Sequence, residues 1–164
     1  MHRKTQGVIY ESIARILEEH DINIEKIPVS DEIKRIANEL VDLSKNSRHL
    51  YKELIVCESN TNKDMEDAAH RLFGDGINWE KIALFLHFAA SCYMAYTRGD
   101  IVMFVRTVAS YFERFHIQEW VENQGGWEAL LKANSTAIAL GALGAVCLGA
   151  LIIGGVMYNR RRRK

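Results

Sequence analysis

Only one proline, Pro28, occurs in 164 residues, so almost nothing in the chain bars a long run of helix. No segment is low in complexity and no internal repeat recurs at a fixed period, which excludes solenoids and linker-like tracts. The three cysteines, Cys57, Cys92 and Cys147, are odd in number and share no ligand spacing. A disulfide framework and a zinc site are therefore both disfavoured, and free buried thiols in a reducing, cytosol-facing protein are expected. The opening stretch, MHRKTQGVIYESIARI, lacks the unbroken apolar core of a secretory signal. The six histidines never pair at metal spacing, the glycines of GDG open no phosphate loop, and no serine sits in a nucleophile elbow. Residues 3 and 5 of a calcium loop starting at Asp75 would be Ile77 and Trp79, which bind no cation. No catalytic residue, metal or cofactor is expected, and the chain does not read as an enzyme.

Charge of one sign is also lacking, with 21 basic and 21 acidic residues, but the balance is uneven. Arg160 to Lys164 hold five of the basic groups, leaving 16 against 21 in the rest, a net of −5. Such a body is a poor partner for nucleic acid. Hydrophobic residues make up 48% of the chain, ample for one packed core. From Ala137 to Met157 run 21 residues without a charge, about 31 Å as a helix, which matches a hydrocarbon core of ~30 Å. This predicts a single membrane anchor, residues 135–159, with a basic tail at 160–164 and a folded body at 1–134. The anchor's lipid contacts would come through residues 137–157. Ala137, Gly141, Ala145 and Gly149 form a small-residue stripe along it; close helix pairing into homo- or hetero-oligomers and a plain, moderately apolar anchor are both compatible with that stripe.

The body reads as all-α. Val8, Ile9, Ile13, Ile16 and Leu17 form one amphipathic stripe, and a linker over Asp21 to Pro28 follows. Ser30 is placed to cap a second helix whose apolar positions are Val29, Ile33, Ile36, Leu40 and Leu43. Leu50 to Val56 suggests a short helix, and Thr61 with Asp64 a capping box ahead of Met65, Ala69, Leu72 and Phe73. A turn at Gly74 to Gly76 leads to Asn78, a good cap, and from Ile82 to Tyr96 the only strongly polar side chain is His87. That helix is expected to be buried on nearly all sides. After TRGD, a long helix from Ile101 to Val121 is expected to return against it, with ENQGGWEALL closing the body.

Two stretches carry a resemblance. LFGDGINWEKIALFLHFAASC, Leu72 to Cys92, resembles the first homology region of the Bcl-2 family of apoptosis regulators, whose core is written NWGR. WVENQGGWEALL, Trp120 to Leu131, is similar to the second, W-x-x-x-x-G-G-W, through Trp120, Gly125, Gly126 and Trp127. A third region is traceable in Val29, Ile33, Ile36 and Leu40, with Ala37 and Asn38 where the family has Gly and Asp. The resemblance implies a Bcl-2-like helical bundle with a buried central hairpin, a C-terminal transmembrane helix, and a surface groove. The groove would receive the amphipathic homology-three helix of another family member. Leu40, Leu72, Asn78, Trp79, Glu80, Lys81 and Phe88 are its expected residues here.

In the family the arginine of NWGR pairs with an aspartate of the ligand helix. Lys81 takes its place and Glu80 that of the glycine. Lysine keeps the charge without the planar fork. Four buried ligand side chains at ~1.5–3 kcal/mol each outweigh a half-exposed ion pair at ~0–1 kcal/mol, so Glu80 and Lys81 are expected to tune selectivity while the apolar stripe carries affinity. The implied place of action is the mitochondrial outer membrane, with the endoplasmic reticulum as a second membrane, and the body facing the cytosol. A survival protein that sequesters killers is the expected direction, because Ala37 and Asn38 blunt the chain's own third region as a ligand. A pore-forming effector of the Bax and Bak type is the alternative.

Overall fold

A computed structural model describes residues 3–47, 61–97 and 99–133, and no strand occurs among them. It divides into two units, Met1–Glu128 and Ala129–Lys164. In the second, residues 129–133 are helical; the expected anchor and basic tail lie outside the described residues. No described helix is long and apolar enough to cross a membrane. The expected helix at Leu50 to Val56, and Cys57 and Cys147 with it, also fall outside.

The first unit contains α1 (Arg3–Glu19), α2 (Asp31–Asn46), α3 (Thr61–Phe73), α4 (Trp79–Cys92), α5 (Ile101–Arg114) and α6 (Ile117–Asn123). Side-chain caps set three of the starts. The Ser30 hydroxyl accepts from Ile33 N at 3.3 Å, Asn78 Oδ1 from Lys81 N at 2.8 Å, and Asp100 Oδ1 from Val102 N at 2.8 Å. Each satisfies an amide that the helix leaves without a partner. Asp31 and Glu32 in the first turn of α2 and Lys45 in its last suit the helix dipole. Helix α3 begins at Thr61, with Asp64 in its first turn.

Helix α4 is the axis of the unit. Ile82, Ala83, Leu84, Phe85, Leu86 and Phe88 are all buried, and α1, α2 and α3 pack on it. Its charged residues, Glu80 and Lys81, stand at the entrance where the core ends. Helix α5 reaches the same core through large rings: Phe85 meets Tyr111 at 5.9 Å and Phe112 at 6.3 Å between centroids. Only the first arm of the expected central hairpin is buried all round. Helix α5 exposes Val102, Met103, Arg106, Thr107 and Ser110 on its outer face.

The expected single helix from Ile101 to Val121 is broken. Arg114 ends α5, and His116 takes a left-handed conformation, φ 57° and ψ 21°, before α6 begins. No glycine or proline marks the break in sequence. Phe115 is drawn instead toward α3, with His70 edge-on at 4.9 Å and Phe73 at 6.2 Å. The turn it forces brings Trp120 back over the start of α4.

The linker before α2 is fastened from α1. Tyr10 donates its hydroxyl to the Glu25 carbonyl and accepts from Ile27 N at 3.0 Å. One buried phenol thereby satisfies two backbone groups of a segment that has no secondary structure of its own.

Candidate functional site

Both sequence motifs meet around Trp79. Its ring lies edge-on to Trp120 at 4.9 Å and tilted against Trp127 at 5.9 Å. Aromatic pairs at such separations contribute ~0.5–1.5 kcal/mol beyond the area they bury. Gly125 and Gly126, at φ 100° and 86°, give the chain the left-handed turn that swings Trp127 inward, where it is almost wholly buried. Trp127 Nε1 donates to Thr5 Oγ1 at 3.0 Å, and Thr5 donates onward to Gln118 Oε1 at 2.5 Å. The first turn of α1, the start of α4, α6 and the glycine turn are thus joined at one corner.

Beside that corner stands the entrance of α4. Asn78 serves as the cap, and Glu80 is exposed. The Lys81 ammonium is bound within its own chain, to the Asp75 carboxylate and to the Gly76 carbonyl at 2.9 Å. Its side chain is 23% exposed and that of Asp75 82%. The hydrogen bond from Lys81, reinforced by its charge, holds the Asp75 carboxyl below its ordinary value. Asp75 is the residue that the sequence reading did not connect to this site. Six positions separate the pair across a turn, a spacing that belongs to no helical repeat.

The remaining expected groove residues lie deeper. Leu40, Leu72 and Phe88 are buried in the core. In the third region Ile36, Ala37 and Leu40 are buried, Val29 and Ile33 are half-buried and Asn38 is exposed. Ala37 has no exposed surface at all, so a larger residue there would have to push α2 off its neighbours. The α2 helix lies against α1 and α4, where Ser44 Oγ stands 3.4 Å from His87 Nδ1. What this face offers chemically is a cation, an anion and two half-buried indoles, those of Trp79 and Trp120, at the mouth of an apolar helix.

Among the described residues a bundle wraps around one buried helix, whose capped NW entrance is tied to a GGW turn. A family model for apoptosis regulator proteins of the Bcl-2 family matches residues 29–127, and the chain belongs to that family. Bcl-2-like protein 1 of Gallus gallus is 24% identical over 126 residues, 68% of this chain and 55% of that protein. Apoptosis regulator BAX of Bos taurus is 24% identical over 139 residues, 77% of this chain and 70% of that one. The chain thus spans little more than half of the first relative. Among solved structures, chicken BOK superposes with a TM-score of 0.61 at 18% identity, over 79% of this chain and 94% of that one. Trichoplax adhaerens trBcl-2L2, bound to trBak BH3, gives 0.60 at 17% identity, over 79% and 96%. These superpositions establish the fold.

Proposed function

We propose that this chain regulates apoptosis by capturing the amphipathic BH3 helices of other family members, and that it does so in the survival direction. The observation that carries the reading is the junction of the two motifs at Trp79, Trp120 and Trp127, which fixes the capped entrance of α4 as a rigid rim with Lys81 on it. Rigid elements hold a docking face better than loops do. Support also comes from the trBak BH3 bound to Trichoplax adhaerens trBcl-2L2 and from Geodia cydonium BHP2, solved in complex with Lubomirskia baicalensis Bak-2. Affinity would come from apolar ligand side chains at i, i+3 or i+4, and i+7, with the polar rim selecting among them. The survival direction rests on α2: its anchors Ile36 and Leu40 face inward and Ala37 fills its site completely, so the chain's own third region is poorly offered as a ligand.

Residues 137–157 would fix the body to the mitochondrial outer membrane or the endoplasmic reticulum, facing the cytosol. A pore-forming effector is the second reading, favoured by the alignment with BAX, which covers more of both chains than that with Bcl-2-like protein 1. The experiment is titration of the full chain, held in lipid discs, with a panel of BH3 peptides, beside dye release from liposomes that carry it. Tight binding without release, even with an activating peptide, supports the survival protein. Peptide-triggered release assigns the effector, and absence of any binding removes the helix-capture reading.

A further inference from the structure

A cleft of about 400 Å³ opens between α1, the segment leading into α2, and α5. None of Leu72, Trp79, Glu80 or Lys81 lines it, whereas Val29 and Ile33 of the third region do. The walls are apolar, from Ile27, Val29, Ile33, Val102 and Val105. Ile27 and Val102 remain 40% and 38% exposed, apolar surface that water covers in the free chain. Gly7 lets the walls close up: a Cβ there would lie 2.9 Å from Ile33 Cδ1. Side chains from two helices and from the Tyr10-fastened segment therefore meet in one concavity.

The rim carries Arg3 from α1 and Arg106 from α5. Among the described residues neither guanidinium has a carboxylate at ion-pair distance, and Arg106 reaches only the Met103 sulfur, at 4.0 Å. Lys4, one residue from Arg3, is by contrast already bound to Glu32 and Glu128. Two uncompensated planar cations over an apolar cleft call for the converse ligand, a carboxylate head on an apolar tail. The volume lies near the lower end of the ~300–1,000 Å³ usual for small-molecule sites. The chain's own basic end, Arg160 to Lys164, is the wrong occupant by charge.

We propose that this cleft binds a single-chain fatty carboxylate, its head between Arg3 and Arg106 and its tail against Ile33 and Val102. The full chain in zwitterionic lipid discs, with isoleucine methyls labelled, would be titrated with dodecanoate and with dodecanol. Dodecanoate is expected to move the Ile27 and Ile33 methyl signals saturably. Dodecanol, and dodecanoate on the double variant Arg3→Gln with Arg106→Gln, are expected to bind at least about tenfold more weakly, since two charge-assisted contacts are gone. Both arginines are exposed, so the variant is expected to keep the fold, and an unchanged spectrum in the free state would verify that. Equal binding of dodecanol, or a double variant that binds as well as the parent, overturns the proposal. So does a shift produced by anionic phospholipid in the disc alone, which makes the face a membrane-docking surface, or by an acidic helical peptide that dodecanoate fails to displace.

Discussion

Trp127 donates its indole hydrogen to Thr5 Oγ1 at 3.0 Å, across 122 positions of sequence. Thr5 is wholly buried, and its hydroxyl passes its own hydrogen to Gln118 Oε1. A hydroxyl can accept and donate at once, so one threonine closes both bonds and fastens the second motif to the start of the chain.

Replacing that threonine tests the fastening. Thr5→Val keeps the shape but leaves the indole N–H in the core without its acceptor, at a cost of about 1–3 kcal/mol. Trp127→Phe also removes ring volume from the core, but the double variant is expected to lose less than the two single losses summed, because both remove the same bond. Urea unfolding of the two single variants and the double gives the coupling directly. Strictly additive losses would mean that the bond contributes nothing beyond packing.

Freeing Lys81 should sharpen recognition of acidic ligands. In Asp75→Asn the ammonium loses its carboxylate within the chain and becomes available to an aspartate on an incoming helix. Affinity for a BH3 peptide carrying that aspartate is expected to rise by up to about fivefold, the size of a half-exposed pair at ~0–1 kcal/mol. A peptide with asparagine in its place should gain nothing. The companion variant, Glu80→Gly with Lys81→Arg, should reorder a ranked panel of peptides. If calorimetry returned the same ranking, Glu80 and Lys81 would not be selectivity elements.

Acid should loosen the corner around Lys4. Its ammonium lies 3.2 Å from Glu32 and is also bonded to Glu128. Burial works against this ammonium, but hydrogen bonds and charge from the two carboxylates outweigh it and raise its pKa. The hydrogen bond from Lys4 lowers that of Glu128 from its ordinary 4.5. A depressed carboxyl stabilises the fold above 4.5, and that contribution disappears as the pH falls through the folded-state value. The raised lysine contributes below 10.5 and loses its contribution only as the pH rises through its own folded-state value. Both partners are partly exposed, so the amount is ~0–1 kcal/mol. Urea midpoints above and below 4.5 should fall less for Lys4→Met than for the parent, and equal falls would count against the pairing.

The break between α5 and α6 makes its own prediction. His116 holds φ 57°, a conformation that costs an ordinary residue ~1–2 kcal/mol. His116→Gly removes that strain but loosens the unfolded chain by ~0.5–1 kcal/mol. The variant is expected to be unchanged or up to about 1 kcal/mol more stable in thermal unfolding, whereas His116→Val should be less stable. A more stable valine variant would contradict the left-handed turn.

Elements whose signal is local could be read from the residues alone. The stripe of α1, the caps at Ser30 and Asn78, and the nearly uncharged run of α4 each depend on residues a few positions apart, where helical spacing alone decides the outcome. Family membership was legible for a related reason, since the NW entrance and the GGW turn are short strings read within a few positions. Tertiary structure decided what depends on distant partners. Phe115 bends the chain because His70 and Phe73 lie beside it, and nothing near His116 in sequence announces the turn. Lys81 answers to Asp75 across a loop, and Thr5 to Trp127 across nearly the whole body. Arg3 and Arg106 share a cleft only because α1 and α5 pack side by side. Local spacing sets which face of a helix is apolar; only packing sets which charge or ring the other faces meet.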